Sequence, residues 1–363
     1  MTFGQLGWVD ALGFGFAMLL EVPSGAIADL IGKRKTIFFG AVAGTIGVFI
    51  VTFSGSLTGI FIGWMITQIC YAFYSGAAEA LAYDTLVDLK QENQFDHVIT
   101  KSSQIENFSG AIATFIGGLL YAVNFRLPHI LWGTGFLFAA IFAYLLVEPK
   151  IDTEKFSFKR YRFQLFAGLK ELAQKGLREY IGFFFVLTGV YYIYSWGFIR
   201  PAIATSFGFF SREQGIILPV LTIVGALCVR AIPALKKRVS ELMGLVILSV
   251  FMILGFGIAI FPVGWYGLIA MALIAVAGHM ASPWISIIVN KKITSKNRAT
   301  TLSTIALMTK LPYVLVAVIA GRLVQNGQLA VFNKTAMLTM LFITMLSLGL
   351  IGIKRLAKSK SMY

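Results

Sequence analysis

Among the ionisable side chains inside long apolar runs, Glu21, Glu79, Arg200, His279 and Lys310 stand out. A charge there is costly and is retained for a reason. Glu21 stands about two turns before a basic cluster, where a carboxylate can carry a proton or hold a neighbouring helix by a hydrogen bond. Glu79 stands one turn before Tyr83 and Asp84 and reads as a structural or tethering group. His279, followed by Pro283 and Trp284, falls near the middle of its run; it can exchange a proton with a solute or pack against a backbone carbonyl. Lys310, followed by Pro312, also falls near mid-run, too deep for its ammonium to reach water along its own stem. It is therefore expected to line a polar cavity. Arg200 is preceded by Tyr191, Tyr192, Tyr194 and Trp196. Such aromatic faces can stack on a flat or cationic ligand, and they also serve as ordinary packing and interfacial residues. Acid in the first half and base in the second suits a solute of mixed polarity, or a charge pair that breaks and re-forms.

The same search finds no constellation for catalysis. The chain lacks GxxxxGK[ST], HExxH and GxSxG. Its two cysteines, Cys70 and Cys228, sit apart in apolar runs, with no CxxC pair and no disulfide framework. No cofactor, no metal site and no ATP-driven step is expected. The first apolar run has no basic residue before it and does not read as a secretory signal.

The elements that must position these groups are set by composition. Of the 363 residues, 58% are hydrophobic and only 13% charged, about half the charge of a soluble protein. Mean hydropathy is +0.80. Apolar runs of roughly twenty residues alternate with short polar turns, the pattern of a multi-pass helical membrane protein whose solvent is the lipid bilayer. The net charge of +15 would point to nucleic acid in a soluble chain. Its distribution excludes that partner: 24 of the 31 Lys and Arg fall in segments 33–35, 90–101, 150–178, 236–238, 291–298 and 354–360, alternating with turns that carry almost none. Basic turns mark the cytoplasmic side, which places the N-terminus outside and the C-terminus inside.

Eleven spans are expected, near residues 6–28, 36–53, 60–86, 105–123, 130–147, 180–206, 214–234, 242–261, 265–289, 300–324 and 335–353. They divide into an N-terminal bundle of five (1–147), a cytoplasmic linker (148–178) and a C-terminal bundle of six with a basic tail (179–363). Within the linker, QLFAGLKELAQKGL places apolar residues at helical spacing among lysines. It reads as an amphipathic helix on the anionic inner leaflet or as a plain connector. Five spans beside six implies that the chain starts one helix late relative to a matched pair of halves.

The turn between the first two spans, GAIADLIGKRK, resembles the signature loop of the major facilitator superfamily. Gly25, Asp29, Gly32, Lys33 and Arg34 match its pattern. The preceding Glu21-Val22-Pro23-Ser24 and the later SGAAEALAYD are similar to a broad group of bacterial facilitators. The resemblance implies an all-α polytopic membrane protein with the two-bundle fold of that superfamily, about 11 transmembrane helices in a 5 + 6 arrangement, family helices 2–6 and 7–12. It implies a monomeric transporter of the cell membrane that exposes a small-molecule site to each side in turn. Proton-coupled export is the activity expected of that group, with uptake of a sugar, organic acid or peptide as the alternative. A non-transporting protein or sensor on a transporter scaffold is a reading from another class.

The signature loop is implied to latch the cytoplasmic side. Asp84 and Asp88 sit at the C-terminal end of the third span, where the helix dipole is already negative, and Lys33 or Arg34 would relieve them. Asp29 would in turn favour the N-terminus of the span near 300–324. The chain departs from the pattern in three places. Leu30 follows Asp29 where a basic residue is common. The matching turn of the second half, AIPALKKRVSE, keeps Lys236, Lys237 and Arg238 without an aspartate. Gly110, Gly117 and Gly118 give only part of the antiporter motif, without its proline.

If the basic turns share one face, single cysteines introduced at Lys33 and Lys236 react with an impermeant maleimide only in inside-out vesicles. Cysteines at Ser56 and Asn326 react only in right-side-out vesicles. Labelling of Lys33 and Lys236 positions from opposite faces overturns the threading.

Overall fold

The computed structural model describes residues 1–149, 159, 177–292 and 298–360, and the side chains of a few of these, Glu21, Gly25, Asp29, Glu79 and residues 301–309 among them, lie outside the description. The proposed amphipathic helix of the linker also falls outside the described residues. Among the described residues the chain is helical and carries no strand.

The helices are α1 (Phe3–Ile31), α2 (Lys33–Phe53), α3 (Leu57–Asp88), α4 (Phe95–Val123) and α5 (Leu127–Leu145). After the linker come α6 (Arg178–Ser195), α7 (Ile199–Ser206), α8 (Ser211–Val229), α9 (Glu241–Ile258), α10 (Gly267–Lys292), α11 (Arg298–Gln325) and α12 (Leu329–Lys360). Each expected span falls on one helix, or on the α6–α7 pair. Among the described residues, eight of these helices are long and apolar enough to cross a bilayer, or nine if α6 and α7 form one bent span. The apolar part of α4 is confined to Phe108–Val123, and α11 does not meet the criterion.

Their outer surfaces are apolar: Leu19, Ile46, Phe108, Phe142, Leu315 and Met345 are all exposed. A soluble bundle would bury such residues, whereas lipid is as apolar as leucine and leaves van der Waals packing to hold the helices together. Several buried hydroxyls are satisfied locally. Thr52 donates to Val48 O at 2.7 Å and Thr67 to Gly63 O at 2.8 Å, each bonding one turn back along its own helix.

The contacts divide into two compact units. One comprises Met1, Val9–Arg162 and Ser211–Ile216, and is built on α2, which packs extensively on α3 and α5. The small residues Gly40, Gly44 and Gly47 line the buried side of α2, which lets helices approach closely. The other comprises Thr2–Trp8, Phe163–Phe210 and Ile217–Tyr363, and is built on the α9–α10 and α9–α12 pairs.

Two expectations from the sequence are corrected. The turn expected between the first two spans shrinks to one residue: α1 runs through Asp29 to Ile31, Gly32 breaks it, and Lys33, Arg34 and Lys35 open α2. The span expected to run unbroken over 180–206 is interrupted at Trp196–Phe198, with a 73° bend between α6 and α7. Gly197, at φ 73°, supplies the left-handed residue at the break. Within α6, residues Phe185–Val190 form a π-helical stretch. Such stretches are rare and recur at functional sites.

In the second unit, Asn333 of α12 is fully buried and donates from Nδ2 to Ala259 O at 2.6 Å, closing the C-terminus of α9. Asn333→Leu is expected to strand that carbonyl and to cost about 1–3 kcal/mol, read as a lowered unfolding midpoint of the purified protein in detergent.

Candidate functional site

Two groups of polar side chains stand out, one in each unit. The first surrounds Gly32. Its φ of 96° is a conformation that side chains rarely adopt, and a Cβ there would come within 2.9 Å of Glu148 Oε2. The gap that glycine leaves is filled by the Glu148 carboxylate. Oε1 accepts from the Lys33 N–H at 2.7 Å and Oε2 from the Arg34 N–H at 2.8 Å. A carboxylate on the first free N–H groups of a helix satisfies both the hydrogen bonds and the dipole. Glu148 follows the last apolar residue of the fifth expected span, and only the fold brings it to the start of α2. Sequence reasoning missed it, although a carboxylate followed by Pro149 at the edge of an apolar run is a signal worth reading.

The Lys33 side chain turns the other way. Its Nζ pairs with Asp84 Oδ2 at 2.6 Å, both residues being buried. Of the two cations considered for the end of α3, the structure gives this pairing to Lys33. Arg34 instead donates from Nη1 to Leu146 O at 3.2 Å and lies over the Tyr144 ring at 5.6 Å. Asp88 is half-buried at the end of α3. Gly25, Asp29, Glu21 and Glu79 occupy helical positions in α1 and α3, and their side chains lie outside the description.

The second group lies where α6, α7, α8 and α10 meet. Tyr191, one residue after the π stretch, bonds through its hydroxyl oxygen to His279 Nδ1 at 3.0 Å. The same ring nitrogen lies 2.9 Å from Ala275 O. A carbonyl can only accept, so Nδ1 carries the hydrogen. The Tyr191 oxygen is then an acceptor, its own hydrogen is available to another partner, and Nε2 of neutral His279 keeps a lone pair. The ring fits because two neighbours have no side chain. A Cβ on Gly278 would collide with the Tyr191 ring, and one on Gly225 would come within 2.7 Å of His279 Nδ1.

Arg200 enters from the second residue of α7. Its Nη2 donates to Leu218 O at 2.6 Å and to Thr222 Oγ1 at 3.1 Å, both on α8. Thr222 is free to accept because its own hydroxyl hydrogen goes to Leu218 O. Tyr194, only 1% exposed, lies beside the guanidinium.

Trp196 is exposed at the helix break and stacks on Tyr192 at 5.7 Å; Tyr192 meets Tyr313 of α11 edge-on. Lys310 is half-buried on α11, three residues before Tyr313. Although His279 and Lys310 were expected at similar depth, the hydrogen-bond partners of His279 are Tyr191 and Ala275. Thr222, Gly225 and Gly278 were not singled out from the sequence, because isolated glycines and threonines are ordinary in membrane helices.

Among the described residues, no group of three or more His, Cys, Asp and Glu side chains could hold a metal ion. The geometry offers donors, aromatic faces and a fixed cation, which suit binding of a solute.

A family model described as Major Facilitator Superfamily matches residues 1–317. No match was found among curated protein sequences. Among solved structures, the fold is similar to that of the nucleoside transporter NupG, with a TM-score of 0.74 at 17% identity, covering 96% of this chain and 91% of that one. It is also similar to a POT family transporter in complex with 5-aminolevulinic acid (TM-score 0.70, 13% identity, 96% and 88% covered). A third is a bacterial homolog of the human lysosomal transporter Spinster in an inward-facing, unoccupied conformation (TM-score 0.64, 16% identity, 95% and 88% covered).

Asp84→Leu leaves the Lys33 ammonium buried without its carboxylate and is expected to cost about 3–5 kcal/mol. The double variant Lys33→Met/Asp84→Leu should recover most of that loss. Equal unfolding midpoints for the single and double variants would show that the pair is not coupled.

Proposed function

This chain belongs to the major facilitator superfamily and is a secondary transporter rather than an enzyme, and we propose that it moves a small organic solute across the cell membrane by alternating access coupled to protons. Export of an organic or amphipathic solute is the direction we favour, on the likeness of Glu21-Val22-Pro23-Ser24 and SGAAEALAYD to bacterial facilitators. The working unit is a monomer with its C-terminus in the cytoplasm.

The observation that carries the reading is the cluster of Arg200, Tyr191, Tyr194, Thr222 and His279 in the second unit, set where a span is broken and its helix is π-wound. Irregular backbone at membrane depth is tolerated where it lines a cavity or is buried in protein, and transporters commonly place binding groups on discontinuous helices. In this reading Arg200, Tyr191, Tyr194, His279, Trp196 and Lys310 face the solute. Glu21 exchanges the proton, and Glu79 supports it. Gly25, Asp29, Gly32, Lys33, Arg34, Asp84 and Asp88 hold and release the cytoplasmic side, a reading that the Lys33–Asp84 ion pair supports. Nucleosides and amino acids such as 5-aminolevulinic acid, each associated with one of the structural neighbours, are compared first alongside peptides as uptake substrates.

Purified protein in proteoliposomes under an imposed pH gradient tests the proposal. Nucleosides, di- and tripeptides, organic acids and amphipathic cations are added in turn while an internal pH dye is followed. At least one class is expected to move protons; no flux and no dye response with any class overturns transport. Asp29→Asn should slow turnover at least about tenfold while leaving expression intact, as expected for loss of an interaction of about 1.4 kcal/mol in the rate-limiting step. Glu21→Gln should abolish the dependence on the pH gradient while counterflow persists. Unchanged coupling in that variant removes Glu21 as the carrier.

A further inference from the structure

The Arg200 guanidinium is a permanent positive charge, half-buried in the second unit, with its Nε fully enclosed. Its partners fix its level. Leu218 and Thr222 lie seven and eleven residues into α8, about 10 and 16 Å along a helix that rises 1.5 Å per residue. Since α8 spans 19 residues, the charge sits near the middle of that helix and away from its ends. The bend at Trp196–Phe198 turns α7 so that an arginine late in the chain segment reaches this depth.

Nothing in the described protein neutralises it. The ion pair found among the described residues is Lys33 with Asp84, in the other unit. Arg200 has no carboxylate within ion-pair distance among the described residues. Its neighbours are Tyr191, Tyr194, Thr222 and His279, none of them a carboxylate. Both bonds of the guanidinium come from Nη2, to a carbonyl and a hydroxyl. The buried Nε completes no hydrogen bond, and neither does the hydroxyl of the buried Tyr194 next to it. A guanidinium offers five N–H groups in a planar fork that matches an oxyanion. Leaving a buried charge without a counterion is among the costliest arrangements a protein can hold. Among the described residues no carboxylate meets this half-buried charge, and an anion from outside would.

We infer that Arg200 and Tyr194, with Tyr191 alongside, form an oxyanion subsite that binds the carboxylate or phosphate of an organic solute. Arg200 supplies the charge and the free Nε–H. Tyr194, beside the guanidinium, supplies a buried hydroxyl that completes no hydrogen bond, and Tyr191 lies alongside with its hydroxyl against His279 Nδ1. Thr222 and Leu218 hold the guanidinium in place. The aromatic rings of Tyr191 and Tyr194, 6.2 Å apart, favour a solute whose body is apolar and flat. The subsite rests on the transporter reading for its purpose, but its existence can be tested without flux.

The test uses the full chain purified in an uncharged detergent, with benzoate, phenyl phosphate and benzamide as probes. Benzoate or phenyl phosphate is expected to raise the unfolding midpoint in a saturable way and to quench tryptophan fluorescence, while the neutral benzamide does neither. Arg200→Gln should weaken the anion at least about tenfold, as loss of a charge-assisted bond does, and Tyr194→Phe should weaken it a few-fold. Both variants must elute as wild type in size-exclusion chromatography. If Arg200→Gln does not fold, Tyr194→Phe alone decides, since it keeps the ring and removes only the hydroxyl. Equal responses to benzoate and benzamide, no response to either anion, or anion binding unchanged in the folded variants overturns the subsite. In nanodiscs, a stabilisation by phosphatidylglycerol that depends on Arg200, with no response to the two soluble anions, assigns the charge to a lipid headgroup and overturns the solute proposal. A protein that binds benzoate but transports nothing upholds the subsite and sinks the transporter reading; one that moves only neutral solutes and ignores anions does the reverse.

Discussion

Inside a bilayer no water is available to solvate a charge or a backbone amide, so every polar group must find its partner in the protein or in what the protein binds. The consequence is visible at several points of the chain. Hydroxyls of Thr52 and Thr67 bond back to their own helices, and Asn333 closes the end of α9. Lys33 and Asp84, both buried, pair with each other. The membrane-facing surface needs no such arrangement, and there the residues are leucine, phenylalanine and isoleucine.

The Gly32 region shows how closely the parts depend on one another. A single left-handed residue ends α1 and starts α2, and only a glycine both adopts that geometry and leaves room for Glu148. With Glu148 holding the two first N–H groups of α2, the Lys33 side chain is free to reach Asp84, and Arg34 is free to lie over Tyr144. A cluster that reads in sequence as a marker of sidedness is thus also a packed structural joint of the first unit.

In the second unit the polar cluster sits on irregular backbone. The π stretch of α6 and the break before α7 depart from regular helix within a few residues of Tyr191, Tyr194 and Arg200. Irregularity shifts side chains off the spacing that a uniform helix would impose. It is the reason that an aromatic run and an arginine nine residues apart converge with His279 from α10.

The apolar periodicity and the placement of lysine and arginine decided the class of the protein, the approximate limits of its helices and the superfamily loop, because those signals are local and are written in composition. Asp84 could be matched to a cation near Gly32 on the same grounds, from the sign of a helix dipole. The sequence by itself could not decide that the cation is Lys33, that Glu148 caps α2, that the span after the linker is bent, or that His279 meets Tyr191. Those outcomes depend on which faces of separate helices touch, and on where a helix departs from 3.6 residues per turn. Neither is encoded in any short stretch of residues, so only the packed tertiary structure determined them.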